Sequence, residues 1–149
     1  MIEKMEGAGR MIHAEIQRIL NERFGKDSLI ALATVKDGLP QVRTVDAYYE
    51  DGAFYVVTHA LSGKMQQLEK NPSAAICGEW FTASGVGVNL GAFEKPENAA
   101  MAAKLKEVFA AWLMNGHTDI HDPHTVILCI RLTQGVLMAQ GTRYEIDFQ

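Results

Sequence analysis

Two Asp-Gly pairs divide residues 29–58 into three short segments, each with the composition of a β-strand. The segments are Leu29–Val35, Val42–Tyr49 and Phe54–Thr58. They are rich in aliphatic, β-branched and aromatic residues, which is typical of strands. Asp37-Gly38 and Asp51-Gly52 favour tight turns, because such turns need residues that tolerate positive φ. The pattern predicts an antiparallel meander and excludes a βαβ unit at this point of the chain.

The other apolar patterns predict helices and further strands around this meander. The predicted helices are Ala8–Phe24, Ser62–Lys70 and a third that begins at Pro96 and continues through Trp112. The further predicted strands are Ala74–Phe81, Val86–Phe93, Thr125–Leu132 and Gln140–Phe148. We interpret the glycine-rich stretch Gly85–Gly91 as tight packing or a bend within a strand. So many antiparallel strands predict a mainly-β fold, a small closed β-barrel with flanking helices.

The length and charge of the chain limit the kinds of protein it can be. We predict a single domain over residues 1–149, with 48% hydrophobic and 21% charged residues. The net charge of −4 argues against a general nucleic-acid binder, which needs a basic surface. No apolar run approaches a membrane span or a signal core, so we predict a cytoplasmic protein with no membrane partner. Cys77 and Cys129 lie in apolar runs, and we predict buried, reduced thiols.

Residues that suit a phosphate group follow one another between the second predicted strand and the next helix. Arg43 lies on that strand and Thr58 ends the following one. Ser62, Gly63 and Lys64 open the helix. A helix start presents free N–H groups and the positive end of the helix dipole, to which Arg and Lys add full positive charges. This segment is therefore a candidate anion site.

A purely structural role for these residues is the alternative. In that case Arg43 pairs with Glu50 or Asp51, and Lys64 is a solvated residue at the helix start. The segment is not a P-loop, because Thr58 stands where the first glycine is required and Met65 replaces the required Ser or Thr.

The order of these motifs resembles the flavin-binding signature of the pyridoxamine 5′-phosphate oxidase-like split-barrel family. The matching pieces are R-T-V from Arg43, a D-G turn, Y-V-V-T ending at Thr58, S-G-K-M-Q-Q-L from Ser62, and Asn71-Pro72. The resemblance implies a homodimeric split barrel that binds FMN non-covalently at the subunit interface. We predict that the apolar helices near either end of the chain form the dimer surface.

The resemblance also implies which residues bind the cofactor. Carried over position by position, they are Arg43, Thr44, Val45, Thr58, Ser62, Gly63 and Lys64. Arg43 and the segment Ser62–Lys64 would hold the FMN phosphate. Thr58 would contact the phosphate or the ribityl chain. Thr44 and Val45 would lie along the isoalloxazine, mainly through backbone groups.

The implied activity is two-electron redox chemistry on a small-molecule substrate, with NAD(P)H as electron donor or oxygen as acceptor. The true oxidases hold pyridoxal phosphate with a C-terminal motif that contains Arg and Trp. The ending YEIDF has no counterpart of this motif, so we do not expect vitamin B6 oxidation. No catalytic acid or base can be assigned; Tyr48 and Tyr49 are candidates by position only. The alternatives are a non-catalytic flavin-binding or sensing module, and a barrel that binds a deazaflavin or haem.

The segment HTDIHDPH, from His117 to His124, carries side chains that can bind transition metals or serve as an axial haem ligand. Asp122-Pro123 interrupts helical spacing, and no cysteine joins the set. We therefore interpret the segment as a solvated loop or a rim of the flavin pocket, and predict no metal site. His59, which follows Thr58, either touches the cofactor region or caps the end of its strand.

Overall fold

A computed structural model describes residues 2–6 and 13–149 of the chain. The strands are β1 (Ile2–Glu6), β2 (Ser28–Lys36), β3 (Leu39–Glu50), β4 (Ala53–His59), β5 (Ser73–Gly78), β6 (Phe81–Ala92), β7 (Thr125–Ala139) and β8 (Thr142–Asp147). The helices are α1 (Ala14–Phe24), α2 (Gly63–Lys70) and α3 (Ala99–Val108), with a short 3₁₀ helix, Pro96–Asn98, before α3. None of the described helices is long and apolar enough to cross a membrane.

Six of these strands close into an antiparallel barrel. The order is β7-β4-β3-β2-β5-β6, and β6 pairs again with β7 to complete the ring. The 15-residue strand β7 pairs with β4 through its first half and with β8 through its second half, while β6 runs along its other side. β1 extends the sheet by pairing in parallel with β8. The predicted mainly-β, antiparallel barrel with flanking helices is confirmed.

Both Asp-Gly pairs form two-residue hairpin turns. Asp37 and Gly38 have φ values of 52° and 79°, and Asp51 and Gly52 have values of 45° and 82°. Positive φ at both central residues matches the twist of the flanking strands. The predicted meander over residues 29–58 is therefore confirmed, and its register places Arg43 opposite Leu32.

The hairpin between β5 and β6 turns earlier than the sequence pattern predicts. The predicted strands were Ala74–Phe81 and Val86–Phe93, with a break between them. In the structure the turn lies at Glu79-Trp80, and β6 is a single strand over residues 81–92. Trp80 has φ 52° and is 70% exposed. A large aromatic residue is uncommon in that conformation, so residue type does not mark this turn.

Glycines let β6 pass close to its neighbours. A Cβ atom at Gly85 would lie 2.7 Å from the carbonyl oxygen of Arg131 on β7. The β6–β7 register shifts between Ser84 and Gly85. A Cβ atom at Gly87 would lie 2.8 Å from the side chain of Leu68 on α2. Tight packing and a strand irregularity, as predicted, account for the first part of this glycine-rich stretch.

The apolar face of α1 fills the main core of the barrel. Ile16 and Leu20 are fully buried, and the Phe24 ring lies 5.6 Å from the Phe54 ring and 5.7 Å from the Phe81 ring. Because this face contacts the inside of the sheet, it stabilises the barrel rather than a second molecule. The helix was predicted from Ala8; residues 8–12 lie outside the described residues.

The third helix is shorter than predicted. α3 ends at Val108 instead of continuing through Trp112, and the following residues form turns. Phe109 and Leu113 in these turns are fully buried in a second apolar cluster with Leu105. The apolar residues of these turns keep the spacing of a helix in the sequence because their side chains are buried in the same cluster as those of α3. The apolar faces of α1 and α3 are thus largely covered within one chain, and their predicted role as a dimer surface stays a prediction.

The cysteine prediction is partly confirmed. Cys77 and Cys129 are both free thiols, as predicted. Cys129 is half-buried, but Cys77 is exposed because it lies on the outward face of β5.

Candidate functional site

Arg43 lies on the inward face of β3, because alternate residues of a strand point to opposite sides of a sheet. Val45 and Ala47 share this face and are buried. Val42 and Thr44 belong to the other face and are exposed. Arg43 itself is partly buried and points toward β2 and α2, where its hydrogen-bond partners lie.

The guanidinium of Arg43 is held by neutral oxygen atoms. It donates to Thr34 Oγ1 at 2.7 Å, to Gln67 Oε1 at 3.1 Å and to the carbonyl oxygen of Leu32 at 3.3 Å. Burial lowers the pKa of Arg43, since desolvation disfavours the charged form. These bonds fix the direction of the guanidinium, but no carboxylate of residues 13–149 neutralises its charge.

The structure does not support the pairing of Arg43 with Glu50 or Asp51. Among residues 13–149, no carboxylate oxygen forms a hydrogen bond with Arg43. Glu50 instead accepts a hydrogen bond of 3.1 Å from the hydroxyl of Tyr48. The first structural alternative for Arg43 is therefore wrong.

Lys64 brings a second positive charge to the same place. Its Nζ donates to Thr58 Oγ1 at 2.7 Å, which joins the start of α2 to the end of β4. Burial, and then the positive charge of Arg43, lower the pKa of Lys64. No carboxylate of the described chain raises it again. Lys64 is therefore not a solvated surface residue, and the two cations repel each other.

Ser62 stands at the N-cap of α2, but its side chain makes no capping bond. Its Oγ is buried and has no hydrogen-bond partner among the described residues. The first N–H of α2 that bonds within the helix is that of Gln66, to the carbonyl of Ser62 at 3.0 Å. The N–H groups of Gly63, Lys64 and Met65 precede it. Hydrogen-bonding groups and positive charge are therefore both available at this helix start.

Crowding within the chain does not explain why a glycine occupies position 63. A Cβ atom there would have Gln67 Nε2 as its nearest neighbour, at an ordinary 3.6 Å. Gly63 does not require a positive φ either. The glycine is consistent with close approach of an external group to the backbone, as expected from the sequence.

The two remaining predicted residues do not join this cluster through their side chains. Thr44 is exposed on the outward face of β3, and Val45 is buried on the inward face. Their predicted contact with an isoalloxazine through backbone groups stays a prediction. Thr44 and Val45 follow Arg43 directly on β3, so their backbone groups lie next to it.

Sequence reasoning missed two residues of the site, Thr34 and Gln67. Both hold the guanidinium of Arg43, and the Thr34 hydroxyl also donates to Gln67 Oε1 at 2.5 Å. Thr34 is a buried polar residue in an otherwise apolar strand. Gln67 lies three residues after Lys64, on the same side of the helix. The sequence shows a threonine within an apolar run and a glutamine one turn after Lys64, but not that both meet Arg43.

A cleft of ≈ 350 Å³ adjoins the cluster and shares Gly63 and Gln67 with it. Its other walls are the turn between β2 and β3 and the last turn of α2, with Lys36 and Lys70 among the lining residues. The helix start is thus reached from an open depression and not from the core.

Tyr48 and Tyr49 have structural roles. Tyr49 is buried, donates to Gln17 Oε1 at 2.8 Å and accepts from the N–H of Gly52 at 3.0 Å. Burial and the neighbouring Glu50 raise the pKa of Tyr48 to about 12. Neither hydroxyl is placed to exchange a proton near Arg43.

A closed antiparallel barrel with a cationic cluster at a helix start defines a split-barrel protein with a candidate anion site. The sequence model of the pyridoxamine 5′-phosphate oxidase family matches residues 12–139. The chain belongs to the pyridoxamine 5′-phosphate oxidase family. Among curated proteins, none matches this chain significantly in sequence.

Solved structures share the fold at low sequence identity. General stress protein 26 from Bacillus anthracis is 20% identical, with a TM-score of 0.62 over 81% of this chain and 92% of that one. A FAD-binding protein from Mesorhizobium loti is 16% identical, with a TM-score of 0.64 over 85% and 94%. A haem-binding protein from Mycobacterium smegmatis is 19% identical, with a TM-score of 0.64 over 83% and 54%. At these identities the similarity extends to the fold alone.

Proposed function

We propose that the protein binds FMN, with the phosphate between Arg43, Lys64 and the start of α2. One observation carries the proposal: two partly buried cations converge without a counter-ion among the described residues, next to the buried and unpartnered Ser62 Oγ. A phosphate dianion would neutralise both charges and accept hydrogen bonds from Ser62 and the helix N–H groups. The residues present therefore fit the phosphate end of FMN.

Within this proposal, the bound flavin supplies two-electron redox chemistry, and the protein binds and orients it. Arg43, positioned by Thr34 and Gln67, and Lys64, positioned by Thr58, would fix the phosphate. The backbone at Thr44 and Val45 would lie along the ring. The proposed activity is oxidation or reduction of a small molecule, with NAD(P)H as electron donor or oxygen as acceptor. A cytoplasmic location belongs to the same proposal.

We also propose that two copies pair through the outward faces of β2, β3 and β5, here called the outer sheet face. Small or apolar residues run across neighbouring strands of this face: Leu29, Ala31, Ala33, Val42, Thr44, Ala75 and Cys77. Leu29 is 67% exposed and Val42 is 69% exposed. Exposed apolar side chains on neighbouring strands are typical of a protein interface, and Asp46, opposite Leu29, is a charged residue on the same face. Because Thr44 lies on it, a second copy could provide the other wall of the flavin site.

The first experiment is an absorption spectrum of the purified protein, with chromatography of the compound that heat releases. We expect a flavin spectrum and one FMN per chain, or stoichiometric binding when FMN is added to apoprotein. A colourless protein that does not bind added FMN would contradict the proposal. Reduction of the bound flavin by NADH or NADPH would then support an oxidoreductase. Bound FMN that neither nicotinamide nor oxygen turns over would favour the non-catalytic module.

A different cofactor is the second candidate, because structural neighbours include proteins described as FAD-binding and haem-binding. Chromatography separates FMN from FAD and from a deazaflavin. Haem would give a Soret band, and His117, His121 or His124 would be its axial ligand. Arg43 and Lys64 could also bind the propionate carboxylates of haem, so the absorption spectrum decides between haem and a flavin.

A further inference from the structure

A second polar cluster lies at the same end of β4 as Thr58, but its side chains are not among the proposed flavin contacts. His59, Asp122 and His124 each bring a ligand-type atom to within 4.8 Å of the others. His59 is the last residue of β4, and the other two residues immediately precede β7. Because β4 and β7 are antiparallel partners with His59 opposite Thr125, residues distant in sequence meet here. We call these three residues the His-Asp-His cluster.

Backbone hydrogen bonds hold the cluster in place. The N–H of Ala60 donates to the carbonyl of His124 at 2.7 Å, which ties the end of β4 to the loop. The N–H of His124 donates to Asp122 Oδ1 at 2.8 Å, and the N–H of Thr125 donates to the carbonyl of Asp122 at 2.9 Å. Pro123, between the two loop ligands, restricts φ further. The loop is therefore ordered by its own contacts.

The carboxylate of Asp122 contacts both imidazoles. Its Oδ2 lies 3.7 Å from His59 Nε2, and its Oδ1 lies 3.4 Å from His124 Nδ1. The two imidazole rings are stacked, with centroids 5.6 Å apart. Ligands of a tetrahedral zinc ion, each about 2.1 Å from the metal, are about 3.4 Å apart. The two contacts of Asp122 are already close to that spacing, so small rotations of exposed side chains complete the set.

The chemistry of the cluster suits a borderline transition metal. Asp122 offers carboxylate oxygens as ligands, and the two imidazoles add nitrogen ligands. The side chains of His59 and His124 are 48% and 56% exposed, which leaves a coordination position open to water. This cluster attracts cations, whereas Arg43 and Lys64 attract anions.

One existing contact has to change when a metal binds. The N–H of Leu61 donates to His59 Nδ1 at 3.2 Å, so the metal-free imidazole carries its proton on Nε2. Coordination through Nε2 requires the imidazole proton to move to Nδ1. The N–H of Leu61 then loses its acceptor and must donate to a water molecule instead. Leu61 is 60% exposed, so solvent can take that bond. Metal binding should therefore change the tautomer of His59.

We propose that His59, Asp122 and His124 form a site for one divalent transition-metal ion of the zinc type, with water at the open position. This site does not depend on flavin binding, so it stands if the proposed function fails.

The test is calorimetric titration of ZnCl₂ into the full chain after removal of any affinity tag. We expect one ion per chain, and at least about tenfold weaker binding in each of His59→Gln, His124→Gln and Asp122→Asn. Asp122→Asn keeps an oxygen that can accept the His124 N–H, so the loop stays ordered. His121→Gln is the matched control, because His121 is exposed in the same loop and bonds to Glu94 at 2.9 Å.

Nitrogen chemical shifts of the imidazoles give a second measurement on the unaltered protein. Zinc should move the proton of His59 from Nε2 to Nδ1. Absence of stoichiometric zinc binding, or equal zinc affinity in folded His59→Gln and His121→Gln, would overturn the proposal. An unchanged His59 tautomer at saturating zinc would do so as well.

Discussion

Arg43 and Lys64 direct like charges toward each other, and burial lowers the pKa of both groups. Such an arrangement is unfavourable until an anion arrives, because the two partly buried cations repel each other and have only neutral hydrogen-bond partners among the described residues. At the residue scale, the site is therefore arranged for binding rather than for stability of the empty protein.

Arg43→Ala and Lys64→Met should each weaken FMN binding by about tenfold or more, since each removes a charge-assisted contact. Quenching of flavin fluorescence measures the affinity. Lys104→Met is the matched control, because Lys104 is an exposed lysine on α3 that does not line the cleft. Lys64→Met should not lower the stability of the empty protein, since it removes a repulsion. Unchanged affinity in both site variants would contradict the phosphate clamp.

Ser62→Ala should raise the stability of the apoprotein and lower its affinity for FMN. A serine at an N-cap ordinarily stabilises its helix, and its loss costs about 1 kcal/mol. Ser62 Oγ makes no capping bond and is buried without a described partner, so its removal should raise the free energy of unfolding by up to about 1 kcal/mol. FMN affinity should fall. Urea unfolding of the apoprotein and FMN titration measure the two effects, and a destabilised apoprotein would contradict the assignment.

A site residue can be predicted from the sequence when its partners are close to it along the chain. The cluster from Arg43 to Lys64 is contained in one hairpin and the helix after it, so its order along the chain was sufficient. Thr34 and Gln67 required the pairing of β2 with β3 and the position of α2 against β2. The His-Asp-His cluster joins residues more than 60 positions apart through the β4–β7 register. No local pattern contains that information.

At the scale of secondary-structure elements, the passage of β6 along β7 depends on Gly85. Gly85→Ala should lower the free energy of unfolding by about 2 kcal/mol, because the new methyl group would meet a backbone oxygen that cannot move aside. Gly63→Ala is the matched control: its methyl group would meet only ordinary contacts, so stability should hardly change. Chemical denaturation of both variants is the measurement. Equal stability of the two would show that β6 and β7 separate easily.

The pairing of β2 with β3 brings two carboxyl groups together. Burial, and then the carboxyl group of Asp27, raise the pKa of Asp46 from 3.8 to about 6. Between these two values the folded protein binds the extra proton, so this group favours folding below pH 4 and loses that effect as the pH rises through 6. Asp46→Asn should match the wild type near pH 4 and be more stable by up to about 1 kcal/mol at pH 8, since the site is partly exposed. Unfolding at the two pH values tests this, and a pH-independent difference would contradict it.

Element boundaries were predictable where residue type forces the backbone. The turns at Asp37-Gly38 and Asp51-Gly52 are marked by residues that tolerate positive φ. The turn at Glu79-Trp80 has no such mark, because Trp80 takes a positive φ that is uncommon for a large aromatic residue. The end of α3 was missed for a related reason: Phe109 and Leu113 are buried as a helix would bury them, although they lie in turns.

At the scale of the whole molecule, we expect the outer sheet face to determine the oligomeric state. Val42→Lys places a charge where the proposed interface is apolar, and should convert dimers to monomers. Light scattering coupled to gel filtration measures this, and Met114→Lys is the control because Met114 is exposed outside that face. If the interface completes the flavin site, Val42→Lys should also lose FMN. A monomeric wild type, or a dimeric Val42→Lys variant, would contradict the proposed interface.

The place of β7 in the chain order has a consequence for synthesis on the ribosome. β4 and β6 emerge first, and each must wait for the same late strand to cover its free edge. A nascent chain halted before residue 125 therefore exposes two unsatisfied strand edges, and we expect it to aggregate or to engage chaperones. Once residues 125–139 have left the exit tunnel, β7 can cover both edges. The chain should then no longer aggregate or bind chaperones.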